Sequence, residues 1–495
     1  MEQLQELLKE ERQQAWREEL RKSMKAKERT DLPRVKMVEQ DHVERAANHL
    51  EVNLGLTEEM AVSEARRCLD CVNPTCISGC PVGINIPKFI KYIEKGEFLE
   101  SARTLKETNA LPAVCGRVCP QEVQCESECF YKVKLNKEPV AIGFLERFAA
   151  DYERNSGSIS VPEVSEHNGI KIAIIGSGPS GLAVSGDLVK WGYDVTVFEA
   201  LHVIGGVLKY GIPEFRLPNE IVDVEIENLR KMGVKFVTNF IVGKTSSVED
   251  LMEEGFEAFF VGSGAGLPNF MNIPGENFTG IFSSNEYLTR VNLMNAASDD
   301  YDTPVVSGKN VAVIGGGNTA MDSVRTSKRL GADRSMIIYR RSIEEMPARV
   351  EEVIHAQEEG VEFMNLNNPL EYYADNRGRV NKMRVQKMEL GEPYSSGRRR
   401  PVPIEGSDYF VDVDTVIVAI GVSPNPLIPA SMPELEVSDW GTIKVNKETM
   451  ESSIPGVFAG GDIVRGGATV ILAMGDGRKA AAGMHEYLKA KVRNK

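Results

Sequence analysis

Eight cysteines crowd between Cys68 and Cys129, and none follows in the rest of the 495 residues. Grouped cysteines in a large acidic chain read as metal ligands rather than disulfides, and thiolates are natural ligands for iron–sulfur clusters. The first group, Cys68-x2-Cys71-x4-Cys76-x3-Cys80-Pro81, comes close to ferredoxin-like spacing. Cys115-x3-Cys119-Pro120 and Cys125-x3-Cys129 follow. Zinc is the alternative ion, but the Cys-Pro endings favour electron carriers. Eight thiols suit two 4Fe–4S clusters, and spacing alone divides them four early and four late.

Two glycine turns supply a second kind of chemistry. Gly176-Ser177-Gly178-Pro179-Ser180-Gly181 follows the apolar run Lys171 to Ile175 and opens a helix, where backbone N–H groups and the positive helix end can meet a pyrophosphate. Glu199 closes the next strand, Asp194 to Phe198, at the place where a carboxylate accepts from both ribose hydroxyls, which fits FAD. Far downstream, Gly461 and Asp462 precede a helix expected from Gly467, and Asp462 could reach the ribityl or phosphate region. The second turn, Gly315-Gly316-Gly317-Asn318-Thr319-Ala320, has Ala as its third small residue. Its following strand ends in Arg340-Arg341 where an NAD site would carry an acid, and two guanidiniums favour the 2′-phosphate of NADPH. Arg349 is a candidate third contact. The run Arg398-Arg399-Arg400 reads as a solvated loop without a role.

These elements imply an α/β chain: an N-terminal α-helical iron–sulfur domain, then two Rossmann-like nucleotide-binding domains, the NADPH domain inserted into the FAD domain. The expected divisions are 1–165 for arm, clusters and linker, 166–303 and 408–495 for the FAD domain, and 304–407 for the NADPH domain. Residues 1–35 read as helix, with Leu4, Leu7 and Leu8 on one face, and are expected to form a solvated arm or an oligomer contact.

A formal net charge of −14 repels nucleic acid and anionic lipid, and leaves a basic protein as the partner such a field would steer. No stretch approaches the roughly eighteen apolar residues of a spanning helix, and the start lacks a basic region followed by an apolar one, so a cytoplasmic protein is expected.

Ala65-Arg66-Arg67-Cys68-Leu69-Asp70-Cys71, Cys115-Gly116-Arg117-Val118-Cys119-Pro120 and Tyr210-Gly211-Ile212-Pro213-Glu214-Phe215-Arg216-Leu217-Pro218 resemble the glutamate synthase small-chain family from about residue 40 to the end. The same module resembles the N-terminal half of dihydropyrimidine dehydrogenase and the large subunit of the bifurcating NADH-dependent ferredoxin:NADP oxidoreductase. The resemblance implies interleaved ligands: one cluster on Cys68, Cys71, Cys76 and Cys129, the other on Cys80, Cys119, Cys125 and Glu146, with Cys115 a spare thiol. By its own pattern Glu146 would be a solvated helix acid. The resemblance adds Gly206 and Arg216 to the cofactor-binding residues.

It also implies a path from NADPH through FAD and two clusters to a partner, either a glutamate synthase large chain that forms glutamate or a ferredoxin-reductase-like flavoprotein, with ferredoxin a further acceptor and an oligomer expected. A sulfide dehydrogenase subunit is a related reading. A disulfide reductase resembling thioredoxin reductase is excluded, since no Cys-x-x-Cys follows Cys129.

Overall fold

The computed structural model describes residues 2–298, 300–305, 307–395 and 397–493, and the side chain of Leu4 lies outside the described residues. Short helices surround the cysteines. Glu58–Arg67 is capped by Thr57, whose Oγ1 accepts from Met60 N at 3.3 Å, and it ends at Cys68. Ile86–Lys95 has Asn85 as its cap and Pro87 in its first turn, and it stops at Gly96, whose φ of +85° only glycine adopts without strain. Ile142–Ser156 ends the domain. The polar stretch after it is pinned to the next domain, with Ser165 N donating to Lys190 O and Asn168 N to Gly192 O, both at 2.9 Å.

The N-terminal arm is folded down, contrary to expectation. Arg17 and Arg29 are buried. Arg17 pairs closely with the buried Asp70, Arg21 reaches the same carboxylate at 2.5 Å, and Arg12 Nε donates to Asp70 O at 2.7 Å. Arg29 Nη1 donates to Arg66 O at 2.6 Å and its guanidinium pairs with Glu94 at 2.9 Å, while Trp16 stacks on Tyr92 at 4.5 Å. The arm therefore clamps the loop that carries Cys68 and Cys71. Leucine spacing missed this because arginines, which read as surface residues, make the attachment.

Two five-stranded parallel sheets follow. The first runs Val457–Ala459, Phe256–Val261, Lys171–Ile175, Asp194–Phe198, Lys235–Val237, so a strand from near the C-terminus completes it. The second runs Glu362–Asn365, Arg334–Tyr339, Asn310–Ile314, Thr415–Val418, Ile281–Ser283. In the second sheet helices such as Asn318–Arg329 cover one face and antiparallel strands carrying Tyr372, Val380 and Met383 pack on the other, so its central strands are apolar without alternation. Two strands of this second sheet, Ile281–Ser283 and Thr415–Val418, lie outside residues 304–407. Leu267–Pro268 pairs antiparallel with Val422–Ser423 where the chain enters and leaves the insert. The insert also carries an antiparallel sheet that includes Arg399–Pro403, so Arg399 and Arg400 of the basic run sit, exposed, on a strand rather than in a loop.

Among the described residues no helix is long and apolar enough to cross a membrane. Replacing Asp70 by Asn strands Arg17 without its anion and should cost about 3–5 kcal/mol. The readouts are a lower chemical-denaturation midpoint and faster tryptic cleavage of the arm; an unchanged midpoint with a protected arm would refute the clamp.

Candidate active site: two nucleotide turns against a cysteine domain

In the first turn each glycine has its own reason. A Cβ on Gly181 would lie 2.1 Å from Gly176 O, and one on Gly176 2.5 Å from Gly262 O, so both serve close packing. Gly178 faces open space instead, which leaves its backbone free for a phosphate at the start of helix Pro179–Lys190. Glu199 is buried; its Oε2 accepts from Ser177 N at 2.9 Å and Ser177 Oγ at 2.6 Å, and its Oε1 from Leu201 N at 2.8 Å. Ser177, absent from the expected set, thus orients the Glu199 carboxylate and also accepts from Gly205 N at 3.0 Å. Gly206 packs on the turn, where a Cβ would come 2.9 Å from Gly178 Cα.

Gly461 lies over Ser180, and the carboxylate of Asp462 accepts from Ala468 N at 3.0 Å, with burial pushing its pKa up. Sequence reasoning also missed Asp476, which accepts from Gly461 N at 3.2 Å and holds Arg465 through two contacts of 2.6 Å.

The second turn repeats the plan. Gly315, at φ +142°, is pressed against Ala419 O, Gly317 is open, and Ala320 is fully buried in the first turn of helix Asn318–Arg329. Both turns, including Thr319, line one cavity of about 1740 Å³, together with Glu199, Asp462, Arg340, Arg341 and Arg398. That volume exceeds the roughly 300–1,000 Å³ of a pocket for one drug-sized ligand, and the donor set suits two dinucleotides. Arg340 is exposed at the rim; Arg341 is held by Arg399 O at 2.8 Å. Arg398 donates to the Tyr339 hydroxyl at 2.7 Å, which brings into the site a residue expected to have no role. Arg216 lines the cavity with its charge engaged by Asp322 at 2.7 Å and Glu352 at 3.0 Å.

Arg349, expected as a third phosphate contact, sits elsewhere. It is not among the residues lining the cavity and donates to Arg117 O at 2.8 Å, in helix Pro112–Val118, and to Gln121 Oε1 at 2.9 Å just beyond it. Its backbone N–H donates to Asn318 Oδ1 at 2.9 Å, so it ties the second turn to the cysteine domain.

The thiols fall into two neighbourhoods. Cys76 lies within the electrostatic reach of Cys68, Cys129 and Cys71, whereas Cys80, Cys119 and Cys125 feel Glu146; the two groups adjoin, since Cys125 also feels Cys76, and Cys115 acts on both Cys80 and Cys119. Burial pushes Cys68 up to about 12 and Cys80 up to about 11, so without a metal these thiols stay protonated. Glu146 is only 5% exposed, accepts from Asn109 Nδ2 at 2.9 Å, and has no cation paired with it among the described residues. Burial pushes its carboxyl up to about 8. A buried acid that stays protonated until a cation is supplied, beside three thiols, fits a metal-ion cluster. Cys115 is buried between this group and the nucleotide domains, 3.7 Å from Asn109 Oδ1 and 3.6 Å from Met474 Sδ.

Residues 45–158 match the family described as dihydropyrimidine dehydrogenase domain II, 4Fe-4S cluster, and residues 170–477 match pyridine nucleotide-disulphide oxidoreductase. The glutamate synthase [NADPH] small chain of Azospirillum brasilense is 37% identical over 91% of this chain and 93% of its own. That of Escherichia coli K12 is 37% identical over 93% and 98%. The chain belongs to the glutamate synthase small-chain family. As a member it is an oxidoreductase whose cofactors are FAD, a nicotinamide nucleotide and 4Fe–4S clusters. The NADP(+)-dependent formate dehydrogenase subunit beta of Moorella thermoacetica is 38% identical over 84% of this chain but 60% of its own. Among solved structures, Mycobacterium tuberculosis FprA in complex with NADPH shares the fold, with a TM-score of 0.55 at 18% identity over 66% of this family member and 86% of FprA.

The placement of the arginines gives opposite expectations for two variants. Arg340→Ala should raise the Michaelis constant for NADPH about 10–100-fold more than that for NADH, the worth of a charge-assisted contact. Arg349→Met should shift both constants equally; a selective loss of NADPH would return Arg349 to the phosphate site.

Proposed function

We propose that this chain oxidises NADPH and passes the electrons singly, through FAD and two 4Fe–4S clusters, to a glutamate synthase large chain that forms glutamate from glutamine and 2-oxoglutarate. When bound, FAD supplies the conversion of a hydride's electron pair into the one-electron steps that clusters require. The first turn with Glu199 and Asp462 holds the flavin nucleotide, and the second with Arg340, Arg341 and Arg398 holds the NADPH phosphates. Cys68, Cys71, Cys76 and Cys129 ligate the outer cluster, and Cys80, Cys119, Cys125 and Glu146 the inner one.

The observation that carries this reading is the meeting of cavity and inner thiols on one helix. Val470 and Ala473 of helix Val470–Arg493 line the cavity, Gly475 packs on Pro81, the residue after Cys80, and Met474 touches the spare thiol Cys115. The large-chain partner is supported by coverage, since the match spans nearly the whole of the glutamate synthase small chains and only 60% of the formate dehydrogenase subunit. Eight thiols that form no disulfide suit a cytoplasmic setting.

Anaerobically purified protein should show flavin absorbance that NADPH bleaches and iron for two clusters. Cys76→Ser should remove about half the iron while FAD stays bound, and Glu146→Ala should alter the electron paramagnetic resonance signal of the other cluster alone. Full iron in the first variant, or unchanged spectra in the second, would refute the respective assignment.

A further inference from the structure

The outer thiols border a face that the fold leaves uncovered. Helix Phe130–Leu135 follows Cys129 and buries only Tyr131, while Phe130 is 41% and Val133 51% exposed. Val72, the residue after Cys71, is 57% exposed. Cys71 and Cys129 are electrostatic neighbours, and Thr75 Oγ1 donates to Glu128 O at 2.5 Å, so the loops carrying both thiols form one edge of the domain. Lys132 and Lys134 are exposed on the same helix and outnumber the one exposed acid of the loop before it, Glu128. Apolar side chains beside lysines depart from the −14 net charge of the whole chain.

We propose that this edge is where an acidic electron-accepting protein docks to draw electrons from the outer cluster, an inference that rests on the cluster assignment above. An apolar centre with a charged rim is the anatomy of a specific interface, and carboxylates opposite the lysines would speed encounter. The direction reverses what net charge alone implied, because docking is governed by the local field at the exit rather than by the sum over the chain. A second copy of this chain is a poor occupant, since a two-fold contact through this edge sets lysine against lysine. In the step, NADPH becomes NADP⁺ and a proton, and its two electrons reduce two acceptor molecules by one electron each.

Flavodoxin, an acidic one-electron carrier, serves as the probe, with menadione as a small neutral acceptor. Flavodoxin reduction by the wild-type holoenzyme should fall as salt rises. Lys132→Glu with Lys134→Glu should slow it about 10–100-fold at low salt and abolish the salt dependence. Menadione reduction should stay within about twofold and the cluster signals should not change, as expected when like surface charges leave the machinery alone. Val133→Ser should slow flavodoxin reduction at every ionic strength. A flavodoxin rate unchanged in the double variant, or rising with salt in the wild type, would overturn the docking face while leaving NADPH oxidation intact. A wild type that cannot reduce menadione would overturn the electron path and the docking face together.

Discussion

The approach of one helix to two partners sets the geometry on which the rest of the molecule depends. Helix Val470–Arg493 presents Gly477 to the first nucleotide turn, where a Cβ would lie 2.5 Å from Ser180 O, and Gly475 to the cysteine domain, where a Cβ would lie 3.0 Å from Pro81 O. Side chains at either position would push the flavin site and the inner thiols apart. Arg478 fastens the same junction, donating to Val82 O at 2.5 Å and to Asp187 at 2.9 Å. Glycine here stabilises nothing locally and costs helix propensity; it is tolerated for the short distance it allows between cofactor sites.

Buried ion pairs tie the inserted domain to the rest of the chain. Arg325 pairs closely with Glu352 and with Glu359 at 2.7 Å, Arg329 reaches Glu359 at 2.8 Å, and Arg45 from the N-terminal region reaches Glu359 at 3.2 Å. Phe215, in the segment between the domains, lies under both guanidiniums, 4.7 Å from Arg325 and 3.9 Å from Arg329. Such buried networks add little net stability compared with an apolar contact, but they admit few alternative alignments. With Arg349 bridging Asn318 to Arg117 and Gln121, they hold the second turn in one orientation toward the flavin cavity and the inner thiols.

The glycine turns, the acid and the arginines at the strand ends, and the eight cysteines were legible in the sequence because each depends on short-range spacing: a turn, a helix start, a ligand loop. Glu199 and Arg340 could be placed by counting residues along a strand–turn–helix unit. Resemblance, rather than spacing, pointed to the interleaved thiols and to Glu146. Tertiary structure alone revealed what depends on contacts between distant segments. Asp70 gathers arginines from an arm some fifty residues away, Asp476 orders the turn at Gly461, and Arg398 arrives from an antiparallel strand region to face Tyr339. Arg349 shows the limit most plainly: its type and position in the chain suit a phosphate, yet its side chain turns to the carbonyl of Arg117, because a long side chain near a domain boundary can satisfy either neighbour and only the packing of the two decides which.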